Sequence, residues 1–117
     1  MSSARMRRVD EAIREVLADA IAKHVKDPRV GFVTVTDVDT SPDLRHADVH
    51  VSVLGSDAEK EDTLAGLRSS HAVLQRAISD QMRLKRTPTL SFFYDESVER
   101  ADRLTRMLSD DEEREQA

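Results

Sequence analysis

Residues 32–53, FVTVTDVDTSPDLRHADVHVSV, decide the fold. Phe32-Val33-Thr34-Val35-Thr36 is β-branched and aromatic. Ala47-Asp48-Val49-His50-Val51-Ser52-Val53 alternates apolar with polar at a period of two, the spacing that puts every second side chain on one face of a strand. Between them Asp39-Thr40-Ser41-Pro42-Asp43-Leu44 is rich in turn formers, so the two runs are expected to pair as an antiparallel hairpin with a long, mobile tip. Gly55 and Ser56 close the second strand.

Upstream, Val9, Ile13, Val16, Leu17, Ala20 and Ile21 recur at helical spacing with charged residues mostly elsewhere, which predicts an amphipathic first helix ending near Val25. Pro28 cannot continue it and pushes Asp27 out of helical geometry. Downstream, Ser56 or Asp57 can cap a helix with an acidic first turn. Leu64, Leu67, Leu74, Ile78 and Met82 extend its apolar face, and Ser69 and Ser70 interrupt it, so two helices joined by a kink are expected. After Pro88, Leu90-Ser91-Phe92-Phe93-Tyr94 reads as a third strand. Asp95 or Ser97 can start a final helix bearing Val98, Ala101, Leu104, Met107 and Leu108, and the acidic residues 110–117 have the composition of a disordered tail.

A chain of 117 residues suits one domain, here residues 1–109. With only Phe32, Phe92, Phe93 and Tyr94 aromatic, its core must be aliphatic and leaves little room for a buried ligand. The absence of cysteine excludes disulfides, thiolate catalysis and thiolate-bound zinc. No apolar stretch suits a signal peptide or a membrane span, so a soluble cytoplasmic protein is expected.

The net charge of −5 argues at first against a nucleic-acid partner. It conceals segregation: residues 1–30 carry seven basic against five acidic residues, and residues 71–91 four basic against Asp80 alone. Residues 31–55 hold Arg45 against four aspartates. An acidic hairpin and tail thus mask basic helices.

Two blocks carry a resemblance. Asp27-Pro28-Arg29-Val30-Gly31-Phe32-Val33-Thr34-Val35-Thr36-Asp37-Val38, continued by Ser41-Pro42-Asp43-Leu44-Arg45-His46-Ala47, resembles the hairpin of the ribosome-binding factor A family. Leu84-Lys85-Arg86-Thr87-Pro88-Thr89-Leu90-Ser91-Phe92-Phe93-Tyr94-Asp95-Glu96-Ser97 is similar to that family's stretch around its third strand. The resemblance spans about residues 5–108 and implies an α+β, KH-like fold of type II, in the order α-β-β-α-α-β, with helices packed on a three-stranded sheet. It further implies an interhelical kink, Ala-x-Gly, in place of the Gly-x-x-Gly loop of ordinary KH domains. Counting back from Pro88, that kink falls on Ser70-His71-Ala72, a departure from the family pattern. If the bend required a positive φ, Ala72 would be strained by about 1–2 kcal/mol.

As function, the resemblance implies a non-enzymatic, cofactor-free factor that associates with free 30S subunits and is needed for late maturation and processing of 16S rRNA. Its expected partner is the small ribosomal subunit, with ribosomal proteins left open as further contacts and the factor itself a monomer in solution. Candidate phosphate contacts are Arg7, Arg8, Lys23, Lys26 and Arg29 on or beside the first helix, and Arg76, Arg83, Lys85 and Arg86 on or after the third. Arg45, at the acidic tip, joins them as an RNA contact or as a local partner of Asp43. Read alone, each could be a solvated helix position.

Other motifs fail on geometry. His46 and His50, four apart on a strand, lie about 13 Å from each other and cannot share an ion. His24 and His71 read as polar surface or kink residues. Asp37-x-Asp39-x-Ser41 with Asp48 imitates an EF-hand start, but Pro42 stands where the bend needs glycine. Gly31, Gly55 and Gly66 are too scattered for a nucleotide loop, and no nucleophile–base spacing stands out. Two other classes compete with RNA binding: a protein-interaction domain whose acidic hairpin takes a basic partner, and a small enzyme, which would need a pocket with convergent carboxylates.

Overall fold

A computed structural model describes residues 3–97 and 105–108. Its elements are α1 (Ala4–His24), β1 (Val33–Thr40), β2 (His46–Val53), α2 (Asp57–Ser69), α3 (His71–Gln81) and β3 (Thr89–Tyr94). The sheet runs β1-β2-β3, with β1 antiparallel and β3 parallel to β2. This is the expected α-β-β-α-α-β order.

The core forms where the three helices meet one face of the sheet. Ile13, Leu17, Ala20 and Ile21 come from α1, Ala47, Val49, Val51 and Val53 from β2, Leu67 from α2, Leu74 and Ile78 from α3, and Leu90 and Phe92 from β3. The aliphatic stripe predicted across α2 and α3 is buried at Leu67, Leu74 and Ile78, with Leu64 packed against its edge. The sheet's other face, turned away from the helices, carries Asp37, Asp39 and Asp48, and there His50 stacks on Phe93 with ring centroids 5.6 Å apart.

The hairpin departs from expectation. β1 continues through Asp37-Val38-Asp39-Thr40, because its register against β2 shifts between Val35 and Asp37. Thr36 is the extra residue of a β-bulge. Val35 is buried before it and Val38 and Thr40 after it, so the inward parity changes from odd to even and a continuous period of two is lost. Thr36 Oγ1 donates to the Asp95 carboxylate at 2.6 Å, with the His50 carbonyl 3.2 Å away. The tip shrinks to residues 41–45 and is tied rather than loose: Ser41 N–H donates to the His46 carbonyl (2.8 Å) and Leu44 N–H to the Ser41 carbonyl (2.9 Å).

Side chains take up part of the hydrogen-bonding capacity of both edge strands. On β1, the Asp10 carboxylate accepts from Thr40 N–H (2.9 Å) and the Asp37 carboxylate from Val38 N–H (3.0 Å). On β3, His71 Nε2 accepts from Leu90 N–H (3.1 Å) and Arg68 donates to the Phe92 carbonyl (3.0 Å). Such edges cannot accept another strand without breaking these bonds. His71, expected as a surface or kink residue, stands at the first position of α3 directly after the bend, where it is half-buried and holds β3 to α3.

Ser56 caps α2 with a reciprocal capping box to Glu59. Of the predicted final helix, Ser97 and residues 105–108 are helical, with Met107 and Leu108 exposed; Val98, Ala101 and Leu104 lie outside the described residues, as does the predicted tail 110–117.

Candidate nucleic-acid interface

Three segments far apart in sequence converge on one groove. The first turns of α1 supply Arg5, Met6 and Val9, the hairpin tip Pro42, Asp43 and Leu44, and the chain leaving α3 supplies Arg83, Leu84, Lys85 and Arg86. The groove encloses about 580 Å³. Met6, Val9, Leu44 and Leu84 are its half-buried apolar floor, and Arg5, Arg83, Lys85 and Arg86 its exposed basic rim.

Local structure explains how each part is held. Ser3 caps α1, its Oγ accepting from Met6 N–H at 3.1 Å. No acidic residue occupies the first turn, where Arg5 and Arg7 stand against the positive end of the helix dipole. At the tip, Ser41 Oγ donates to Asp43 (2.7 Å) and Asp43 accepts from Arg45 N–H (3.1 Å). The Ser41 hydroxyl first, then the Arg45 amide and the charges of Arg45 and Arg86, hold the Asp43 carboxyl below its ordinary range. Leu44 takes a φ of 60°, a left-handed conformation costing a non-glycine residue about 1–2 kcal/mol. That bend turns Leu44 into the groove floor.

The ten candidate cations do not form one patch. Arg83, Lys85 and Arg86 line the groove together. Arg7 instead lines a neighbouring cleft with Asp10, Glu11, Arg14 and the edge of β1, where Arg14 pairs with Glu11. Arg8 is exposed beside it on α1. Lys23 lies sixteen residues beyond Arg7 on the same helix, about 24 Å along its axis. Lys23 pairs with Asp19 at 2.9 Å, Arg76 with Asp80 at 3.8 Å and Arg45 with Asp43 at 3.7 Å. Among the described residues, Arg7, Arg8, Lys26, Arg83, Lys85 and Arg86 make no ion pair.

Arg29 has a structural task. Its guanidinium bonds the Asp27 carboxylate (2.7 Å) and Ser69 Oγ (2.9 Å), tying the loop after α1 to the end of α2. The side-chain bonds from Arg29, and then its backbone N–H, bring the Asp27 carboxyl down to about 2. Beneath this loop Gly66 is buried, and a Cβ there would stand 2.6 Å from Val30 Cγ2.

The interhelical bend falls on Ser70, with φ −93° and ψ 12°. Its N–H donates to the Gly66 and Leu67 carbonyls and its hydroxyl to Gly66 O (2.9 Å). His71 and Ala72 are already the first turn of α3. Leu44 is the one non-glycine residue of positive φ among those described, so Ala72 carries no such strain. A single bridge-region serine makes the bend, which explains why Ala72 fits there.

Arg5 and the tip residues Pro42 and Leu44 were not candidates from sequence. Arg5 had a signal, since it precedes the apolar stripe of α1; the tip had none, because its place opposite residues 83–86 is a tertiary fact. Among the described residues, no group of three or more His, Asp or Glu could hold a metal ion.

The chain is similar to ribosome-binding factor A proteins. The Ribosome-binding factor A family profile matches residues 5–108. A ribosome-binding factor A from Anaeromyxobacter is 49% identical over 108 residues, covering 92% of this chain and 88% of that one. The solution structure of a candidate ribosome binding factor A from Thermotoga maritima superposes with a TM-score of 0.73 at 30% identity, over 83% of this chain and 92% of the other. A homology model of the Thermus thermophilus factor, fitted into a cryo-EM map of its complex with the 30S subunit, gives 0.62 at 26% identity, over 74% and 91%.

Proposed function

Since this chain belongs to the ribosome-binding factor A family, we propose that it binds the free small (30S) ribosomal subunit through 16S rRNA and serves the late maturation of that RNA by binding, without catalysis. The observation that carries the reading is the groove in which Arg83, Lys85 and Arg86 stand exposed beside Arg5, none of the three within ion-pair distance of a carboxylate among the described residues, although Asp43 also lines the groove. The fit of the Thermus relative into a 30S complex supports the choice of partner.

Phosphates neutralise the rim while sugar or base edges reach the apolar floor, so recognition combines counterion release with fit to a folded RNA surface. In this reading Arg7 and Arg8 extend the contact along α1, and Lys26 marks a second point of approach. Lys23, Arg45 and Arg76 contribute less, because each must leave an aspartate to meet a phosphate. Arg29 acts by shaping the fold. Residues 1–109 work as one RNA-binding unit in the cytoplasm, and the acidic residues 110–117 repel RNA that approaches from the wrong side. Among the described residues no helix is long and apolar enough to cross a membrane.

The test is binding of the Arg83→Ala/Lys85→Ala/Arg86→Ala variant to free small subunits across a salt series. Each phosphate contact removed should lower the slope of log affinity against log salt by about 0.7–0.9, so three lower it by roughly 2–3. An unchanged affinity and slope would overturn the groove as the contact.

A further inference from the structure

The open end of the hairpin carries a feature that RNA binding does not use. Phe32 is 86% exposed and Leu54 84%, more than the other large exposed apolar residues described. Leu54 N–H donates to the Phe32 carbonyl at 3.4 Å, one step beyond the Val33–Val53 pair, so the two side chains lie next to each other across the strands. Exposed apolar residues are ordinary when scattered; a phenylalanine and a leucine set together in water keep surface that burial would favour.

The charges around this pair are acidic. A cleft of about 270 Å³, room for a side chain or two, runs from Phe32 and Leu54 to Glu59, Asp62 and Arg29. Among the described residues Arg29 is the single cation lining it, and its guanidinium is already bonded to Asp27 and Ser69. Glu59 Oε1 accepts from Ser56 N–H at 3.2 Å and from Ser56 Oγ at 3.1 Å in the capping box. A nucleobase could stack on Phe32, yet its phosphates would then sit beside two carboxylates, which disfavours RNA here. A lysine or arginine side chain would find attraction instead.

We infer that Phe32 and Leu54, rimmed by Glu59 and Asp62, form a second docking site, whose occupant is a Lys/Arg-rich protein segment that inserts an apolar side chain between them. It rests on the small-subunit reading and deepens it: the basic groove takes RNA, and this site takes a basic segment of a protein bound to the same subunit. The two sites lie at opposite ends of a hairpin whose eight-residue strands span about 26 Å, so both can be occupied at once.

The experiment places a photoreactive side chain in the full chain, Phe32→p-benzoylphenylalanine, binds it to purified free small subunits and maps the crosslink by mass spectrometry. The expected product joins position 32 to a Lys/Arg-rich segment of a subunit protein, with a several-fold lower yield when Asp62→Lys is added. The Phe32→Ser/Leu54→Ser variant, folded by circular dichroism, should bind the subunit roughly tenfold more weakly, the loss expected when apolar anchors leave an interface. A crosslink into rRNA would overturn the proposal in favour of a base-stacking platform. So would the absence of any crosslink while the protein still cosediments. Failure of the unmodified protein to cosediment would instead defeat the small-subunit reading, and this proposal with it.

Discussion

Gly66→Ala should destabilise the protein, although alanine is the better helix former. Gly66 lies inside α2, where replacement by alanine gains about 0.8–1.0 kcal/mol of helix propensity. Against this, the new Cβ would stand 2.6 Å from Val30 Cγ2, about 1 Å short of an ordinary carbon–carbon contact, and 3.4 Å from Arg29 Cβ and Asp27 Cγ. Val30 is β-branched and stiff at χ1. Its loop is pinned by the Arg29–Ser69 bond and by Thr63 Oγ1 donating to the Arg29 carbonyl at 3.3 Å, so the loop cannot retreat without losing both. Overpacking of this kind costs about 1–3 kcal/mol, and the smaller propensity gain leaves a net loss of about 1 kcal/mol, or roughly 4 °C in Tm. Thermal unfolding followed by circular dichroism reads this directly. Val30→Ala in the Gly66→Ala background should recover part of the loss, which a double-mutant cycle would register as coupling. An unchanged or higher Tm in Gly66→Ala alone would refute the packing explanation.

Two further perturbations test the ties around β3. Asp95 accepts from Ser97 Oγ, Thr36 Oγ1 and Ser97 N–H, and these bonds lower its carboxyl to about 2 from an ordinary 3.8. A depressed carboxyl contributes stability above its unfolded value and loses it as pH falls through the folded one, so urea unfolding should show Asp95→Asn less stable than the parent at pH 7, with the gap closing between about pH 4 and pH 2; a gap independent of pH would contradict this. His71→Phe keeps a ring but removes the acceptor of the buried Leu90 N–H, and should cost about 1–3 kcal/mol in the same assay, whereas a neutral result would mean that this edge bond adds nothing.

Much of the architecture was legible because the relevant periods are local. The alternation of Ala47–Val53 and the helical stripe from Val9 to Ile21 survive unchanged in the structure, with the alternate residues of β2 and Ile13, Leu17, Ala20 and Ile21 buried. The second half of β1 was not legible, since the bulge at Thr36 reverses which parity faces the core and leaves Asp37-Val38-Asp39-Thr40 looking like a turn. The basic segments stood out as charge blocks, but their division did not. Whether a cation is free depends on neighbours such as Asp27 for Arg29, and the groove exists only because residues 5, 44 and 83–86 meet across the fold. His71 illustrates the same limit: nothing local shows that its ring faces the unpaired amide of a strand nineteen residues away.

Selective binding to the free small subunit is read by cosedimentation of the purified protein with free small subunits, large subunits and joined ribosomes over a salt series. Binding to free small subunits should weaken steeply as salt rises, with little on the other two particles. Equal binding to all three particles, or none at low salt, would contradict it.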